Sequence, residues 1–196
     1  MNTYKLRRPL TLLMIGISLF MQNSCKKEND ATPITFEIGQ SYGGGIIFYV
    51  DATGKHGLII APVLVQFKLL RWGCKGENIV NAQNTNIGSG QQNTTAILER
   101  CKEANIAAKM CDDLVLDGFS DWFLPSRDEL NLFYENLLLK GIGDINSGYW
   151  SSTQSSPDMA WEHAMAPSSS LAPNGVNHQL TSTKEVQNQV RAVRAF

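Results

Sequence analysis

The chain has 196 residues and is almost neutral, with 17 Lys and Arg against 18 Asp and Glu. A chain of this length suits one domain with a sizeable core. The balanced charge argues against a nucleic-acid-binding protein, because such proteins concentrate basic residues on one surface.

The first 24 residues have the pattern of a secretory signal peptide. Three basic residues lie before an uncharged, mostly apolar run over residues 9–21, and Ser24 stands directly before Cys25. The run is shorter than the roughly 20 residues that a transmembrane helix needs. A cysteine directly after the cleavage position resembles a bacterial lipoprotein signal, in which that cysteine is acylated. We therefore predict lipidation at Cys25, and a conventionally cleaved secretory protein is the alternative.

Residues 25–34 are mostly polar and predict a lipidated tether, followed by a domain over residues 35–196. Several acyl chains together anchor a protein firmly, since each buried methylene contributes about 0.8 kcal/mol. The residue after the cysteine is Lys26 rather than Asp, so nothing favours retention in the inner membrane. We expect a cell-envelope protein that is anchored by lipid in the outer membrane and faces either side of it.

The predicted domain opens with two strands. Residues 46–50 are β-branched or aromatic and follow glycines, as in a buried strand. Residues 51–55 have turn chemistry, and residues 56–61 form a second apolar run. The short connection predicts a hairpin.

Helices are expected in the first half of the domain. Residues 76–92 are rich in Asn, Gln, Gly and Ser, which predicts a long loop before them. We expect Asn93 to cap the first helix and a second helical stretch to cover residues 106–115. A third helix should follow the capping box that Ser126 and Glu129 form.

The second half returns to strands and loops. Strand patterns occur at residues 148–153, 160–165 and 190–196, and a polar loop stretch runs from residue 166 to about 189. Strands at both ends with helices between them predict an α+β domain.

Six ordered segments resemble the Lcl C-terminal domain family, a former domain of unknown function. They are GGIIFYV at 44–50, HGLI at 56–59, WGC at 72–74, DWFLPS and DEL within 121–130, YWSS at 149–152 and VRAVRAF at 190–196. The resemblance implies a C-type-lectin-like fold, in which N- and C-terminal strands pair and a long loop region carries any ligand site. It also implies a cell-surface setting, without an established reaction.

No catalytic residue or cofactor is predicted. The sequence has no Gly-x-Ser-x-Gly elbow that would place a serine nucleophile. Formylglycine-generating enzymes share a distant version of the implied fold, but they need a reactive cysteine pair in the C-terminal half. Here no cysteine follows Cys111. An enzyme of unrecognised type is therefore the weaker alternative.

No metal site is predicted either. Calcium sites need clustered carboxylate and amide oxygens, and Asp158, Asn174 and Asn177 are too scattered along the chain. His163 and His178 with Glu162 are conceivable ligands for another metal, but their spacing is not diagnostic.

The ligand region is expected within residues 154–188, with Trp161, Asn174 and Asn177 as candidate contacts. Trp161 adjoins the polar stretch, and a tryptophan ring can stack on a sugar ring, although tryptophan is more often buried. We predict a non-catalytic module that binds an extracellular glycan or protein without calcium. A structural envelope lipoprotein without a ligand remains the alternative.

Three cysteines follow Cys25, and export permits a disulfide between two of them. Cys111 shares its apolar helical spacing with Leu114, as a core residue would. We predict a disulfide between Cys74 and Cys101, with Cys111 as a buried thiol.

Overall fold

Two antiparallel sheets flank a small set of short helices in the computed structural model, which describes residues 35–62, 69–142, 148–164 and 178–196. The first sheet has the order β1-β2-β3-β7: β1 (Ser41–Tyr42), β2 (Gly45–Val50), β3 (Gly57–Ile60) and β7 (Val193–Ala195). The second sheet has the order β4-β5-β6: β4 (Gly148–Gln154), β5 (Met159–Ala164) and β6 (Gln179–Thr183).

The helices of the described chain lie between the first three strands and β4. They are α1 (Gly90–Arg100), α2 (Ala107–Asp112) and α3 (Arg127–Phe133), which continues into a π-helical turn (Tyr134–Leu138); a 3-10 turn (Val80–Ala82) precedes them. The predicted α+β class is therefore confirmed. None of these helices is long and apolar enough to cross a membrane.

The predicted hairpin is confirmed as the pair β2–β3, with Ile47 opposite Ile59 and a register shift between Ile47 and Tyr49. The last strand, β7, adds to the other side of β3 and places Arg194 opposite Ile59. Strands from both ends of the domain therefore share one sheet. Every residue of β3 is buried, because this strand lies between two neighbours and carries a continuous apolar sequence.

The C-terminal strand is shorter than the predicted segment 190–196. Before it, Arg191 is buried and its Nε donates to the Ala61 carbonyl at 2.6 Å. The Arg194 side chain lies over the Phe119 ring at 3.7 Å and pairs with the Asp121 carboxylate.

The first helix begins earlier than expected, and the prediction that Asn93 caps it is wrong. Helix α1 starts at Gly90 with Ser89 as its N-cap residue. Asn93 is buried inside the helix, and its Nδ2 donates to the Asn84 carbonyl at 2.7 Å. In the sequence, an Asn that hydrogen-bonds to a neighbouring loop cannot be distinguished from an Asn that caps a helix.

A buried carboxylate, Glu129, holds the N-terminal ends of two helices. Its Oε2 accepts from the Ser126 backbone N–H at 2.7 Å, which completes the predicted capping box of α3. Its Oε1 accepts from the Gly88 N–H at 2.8 Å, just before α1. Burial raises the pKa of Glu129, and these hydrogen bonds oppose that increase.

The disulfide between Cys74 and Cys101 is present, with their Cα atoms 5.7 Å apart. Cys111 is a buried free thiol, and burial raises its pKa well above the ordinary value. The disulfide connects the loop after β3 to the end of α1.

The second half holds more regular structure than the predicted loop region. Strand β6 lies within the polar stretch 166–189 and pairs with β5 along its whole length, with Trp161 opposite Thr181. Its five residues include three hydroxyl side chains and one Gln, so no hydrophobic alternation marked it. Cys25, Asn174 and Asn177 lie outside the described residues.

Candidate functional site

One face of strand β5 is covered by helix α3 and the turn that follows it. Trp161 and His163 are two residues apart on β5 and therefore share this face. Arg127, Asn131 and Tyr134 follow the i, i+4, i+7 spacing of one helical face and contact these two side chains. These contacts form a continuous row of side chains between α3 and β5. The row is half-buried at Trp161 and buried at His163 and the neighbouring His178.

The half-buried end, here called the Trp161 surface, consists of Trp161, Arg127, Asp128 and Thr181. The Arg127 guanidinium lies 5.1 Å from the Trp161 ring centroid. Its Nε donates to the Asp128 carboxylate at 2.8 Å, and these two charged side chains are 27% and 30% exposed. Thr181 is exposed and directly opposite Trp161 on β6. The surface thus combines an aromatic ring with a hydrogen-bond donor, a carboxylate acceptor and a hydroxyl group.

The backbone holds Arg127 in place at the start of α3. Its N–H donates to the Thr153 side-chain oxygen at 3.1 Å, and Thr153 is fully buried on β4. The first turn of the helix is therefore attached to the second sheet by a buried hydrogen bond.

The buried end, here called the histidine cluster, consists of His163, His178, Tyr134 and Asn131. The two histidines are 1% and 5% exposed, and their ring centroids lie 5.9 Å apart. The Tyr134 hydroxyl lies 3.0 Å from Nε2 of His178. Burial lowers the pKa of His163 to about 4, and the nearby His178 adds to this effect.

Glu162 does not join the histidines. It pairs with Trp150 and Leu180 in the sheet register and accepts a hydrogen bond from Asn188, on the other face of β5. The structure therefore brings His163 and His178 together but separates them from the carboxylate that the sequence suggested as a third ligand.

Another group of possible metal ligands in the described chain is Cys74, Cys101 and Glu103. The two sulfur atoms form the disulfide, so neither is a thiolate ligand. The Glu103 carboxylate accepts from the Cys74 N–H at 3.0 Å. This group has a structural role.

The remaining tryptophans are buried in the core and have no exposed ring face. Trp72, Trp122 and Trp150 are at most 1% exposed, and Trp72 and Trp150 each donate an indole N–H to a backbone carbonyl of another segment. Of the four tryptophans, only Trp161 lies partly at the surface.

A buried amine, Lys184, follows β6 and was not identified from the sequence. Its Nζ donates to the Glu77 carbonyl at 2.9 Å and to Gln154 Oε1 at 2.8 Å, and lies 4.4 Å from the Trp72 ring centroid. Burial lowers its pKa to about 8. These contacts connect the loop near residue 77 to the second sheet.

A separate groove of ≈ 540 Å³ lies beside the end of α1 and helix α2. Its charged side chains include Lys109, Asp112 and Asp113, and Lys109 forms ion pairs with both carboxylates. None of the described residues that line this groove is aromatic, so the Trp161 surface is the better candidate for a ligand that stacks on a ring.

The sequence identified Trp161 but not the residues around it. Arg127 and Asp128 lie inside the capping box of Ser126 and Glu129, and that local pattern did not mark them as ligand contacts. Arg127, Asn131 and Tyr134 have the spacing of one helical face, and this pattern could have grouped them. The sequence does not show that this face packs on the strand that carries Trp161.

No protein-family model matches the sequence, and no curated protein matches it either. Among solved structures, the chain is similar to a fimbrial protein from Bacteroides ovatus, with a TM-score of 0.50 and 15% sequence identity. The match covers 80% of this chain and 45% of the fimbrial protein, so the chain spans less than half of that protein's length. At this identity the similarity shows a related fold and carries no information about function.

Proposed function

We propose that this protein is a non-catalytic lipoprotein of the cell envelope whose domain binds an extracellular glycan at the Trp161 surface, without calcium. The observation that carries the proposal is the half-buried Trp161 ring beside the Arg127–Asp128 pair and the exposed Thr181. Sugars present apolar C–H faces and hydroxyl groups, and these match an aromatic ring flanked by donors and acceptors.

The proposed fold is C-type-lectin-like, as in the Lcl C-terminal domain family. Support comes from the six ordered sequence segments and from the pairing of the C-terminal strand β7 with β3. In that fold the second half of the domain carries any ligand site, and Trp161 lies there. Fold similarity alone does not assign a ligand, so the proposal depends on the chemistry of the surface.

The binding test is an array of glycans and extracellular matrix proteins, probed with the purified full chain in detergent, with and without a chelator. We expect glycan binding that the chelator leaves unchanged. Trp161→Ala should weaken it roughly tenfold or more, because a central aromatic contact contributes about 2 kcal/mol. Arg127→Met should also weaken binding. Tyr42→Ala, which removes an exposed aromatic side chain from the first sheet, is the matched control.

Four results would contradict the proposal. Binding that disappears with the chelator would refute calcium independence. Full binding by Trp161→Ala would place the site elsewhere, and binding to a matrix protein alone would make the ligand a protein. If nothing on the array binds, a structural lipoprotein without a ligand becomes the better hypothesis.

The lipid anchor is tested separately, at Cys25. We expect mass spectrometry of the mature N-terminus to find an acylated cysteine, and fractionation to place the protein in the outer membrane. Cys25→Ser should abolish both the modification and the membrane attachment. An unmodified Cys25 with a free α-amino group, or a Cys25→Ser protein that is processed and membrane-bound as before, would refute lipidation.

A further inference from the structure

Strand β6 forms one edge of the second sheet, and half of its backbone groups point away from that sheet. The Lys184 N–H donates to the Asp158 carbonyl at 3.0 Å, so the even-numbered residues of β6 are the ones that bond to β5. The N–H and C=O groups of Gln179, Thr181 and Thr183 therefore point outward. The exposure of these residues rises to its highest at Thr181, in the middle of the strand.

This edge differs from the other edges in the described chain. Strand β1 has only two residues, the outer side of β7 bonds to Phe123, and the outer side of β4 bonds to Gln189. On the outer side of β6 the described residues supply one hydrogen bond, from the Val186 N–H to the Thr183 carbonyl. Natural sheets protect their edges with short strands, charges, proline or a covering segment. Strand β6 has five residues without a charge or a proline, so it is open to a further strand.

We propose that β6 pairs antiparallel with β6 of a second copy of this chain, with Thr181 opposite its own counterpart. In this register Gln179 lies opposite Thr183 and Leu180 opposite Ser182, so all five residues are paired and no like charges meet. The outward N–H and C=O groups then bond to one another. A shift of the register in either direction leaves residues at the strand ends unpaired.

The pairing would join the two second sheets into one sheet of six strands. The two-fold axis is normal to this sheet, so both copies present the Trp161 face on the same side. Trp161 lies opposite Thr181, so one row across the sheet contains both residues of each copy. Because neighbouring strands are about 4.8 Å apart, the two Trp161 positions would be about 14 Å apart.

A five-residue strand pair is a small interface, so the dimer should be weak and should depend on concentration. The lipid anchor favours a second copy as the occupant, because it would hold all copies on one membrane at a high local concentration. Two neighbouring Trp161 surfaces would also bind one glycan at two points. These last two arguments rest on the proposed function, whereas the open edge does not.

Cysteine cross-linking in the full chain tests the register. A hydrogen-bonded antiparallel pair has its Cα atoms about 5.5 Å apart, which suits a disulfide. We expect Thr181→Cys to give a disulfide-linked dimer under mild oxidation. Gln179→Cys on the same strand should not, because its counterpart would be four residues away, about 13 Å. Thr95→Cys, at an exposed position on α1, controls for random collisions.

Sedimentation equilibrium of the full chain, in a detergent whose density matches the buffer, measures association without an altered edge. We expect the mass of the unaltered protein to rise from one chain towards two with concentration. Thr181→Lys should remain a single chain, because it would place like charges directly opposite each other. Thr181→Val keeps the shape and the strand propensity, so it should associate as the unaltered protein does.

The proposal is overturned if the unaltered protein is a single chain even at about 1 mM. An edge that stays unpaired at this concentration is either idle or taken by a strand of another protein. The proposal is also overturned if Thr181→Lys associates as before, or if Gln179→Cys cross-links as readily as Thr181→Cys. Neither measurement involves a glycan, so a negative result here leaves the binding test of the Trp161 surface unaffected.

Discussion

Strands β3 and β4 are both buried, but their buried residues differ in chemistry. β3 contributes Leu58, Ile59 and Ile60 to the core of the first sheet. In β4 the segment from Ser151 to Gln154 is equally buried and entirely polar. The burial of apolar surface stabilises the fold but does not require particular contact partners. Buried polar groups, in contrast, need specific hydrogen-bond partners.

The partners of β4 lie in the long loop before α1. Gln154 Oε1 accepts from the Ile79 N–H at 3.0 Å, and the Thr153 hydroxyl donates to the Asn84 carbonyl at 3.1 Å. This loop contains a single 3-10 turn within residues 74–89, so it has few backbone hydrogen bonds of its own. The apolar strand therefore mainly stabilises the domain, and the polar strand mainly determines the path of the loop.

The largest effect is expected from Ile59→Ala in the apolar strand. Ile59 is fully buried, so truncation removes apolar contacts and leaves a cavity that costs about 2–5 kcal/mol. Urea unfolding measures this change. Val115→Ala, at a side chain that is 69% exposed, is the control and should change stability by less than about 0.5 kcal/mol. A cost for Ile59→Ala as small as that of the control would contradict the role assigned to β3.

The second prediction concerns acid and the second sheet. The pKa of His163 is about 4 in the folded protein and 6.5 for the ordinary side chain, so below pH 6.5 the unfolded chain binds a proton more readily. Stability from this group is complete above about pH 6.5 and falls by about 3 kcal/mol as the pH approaches 4.

Urea unfolding of the protein between pH 7 and pH 4 measures this loss. His163→Gln should remove most of it, and the difference between the two pH profiles isolates this group from other titrating side chains. Parallel profiles for the two proteins would show that His163 is already protonated in the folded state or does not titrate differently on unfolding.

The smallest effect is expected from Thr153→Val in the polar strand. The substitution keeps the volume but removes the hydroxyl that accepts from the Arg127 N–H and donates to the Asn84 carbonyl. The Asn84 carbonyl keeps the Asn93 amide as a donor. The Arg127 N–H loses its partner, which should cost about 1–3 kcal/mol. Hydrogen exchange should also become faster in the loop around residues 78–89 but not in β3.

Thr95→Val is the matched control, because the exposed Thr95 hydroxyl bonds only to the Gln91 carbonyl of its own helix. It should leave hydrogen exchange in the loop unchanged. Faster exchange in β3 after Thr153→Val would show that the two strands do not have separate roles.

Local sequence patterns predicted the elements whose stabilising interactions lie within a few neighbouring residues. The hairpin β2–β3 followed from two apolar runs around a turn, and the α3 start followed from Ser126 and Glu129. These patterns failed where a polar side chain has its partner in a distant segment. Asn93 resembled a helix cap, and the hydroxyl-rich β6 resembled a loop.

The candidate site was predicted in the same partial way. Trp161 was found because a tryptophan beside a polar stretch is conspicuous in any sequence. The Arg127 contact was not found, since 34 residues separate Arg127 from Trp161. His163 and His178 were considered together with Glu162, but a separation of 15 residues did not show that the two rings meet.

The sequence by itself determined the α+β class, the first hairpin, the capping box and the cysteine pair, because these depend on hydrophobic pattern, local hydrogen bonds and the number of cysteines. Only the tertiary structure decided which polar residues are buried and which of them meet. A buried His163, Lys184 or Glu129 is stable only when distant segments provide its hydrogen bonds. Those contacts are created by folding and leave no periodic pattern along the chain.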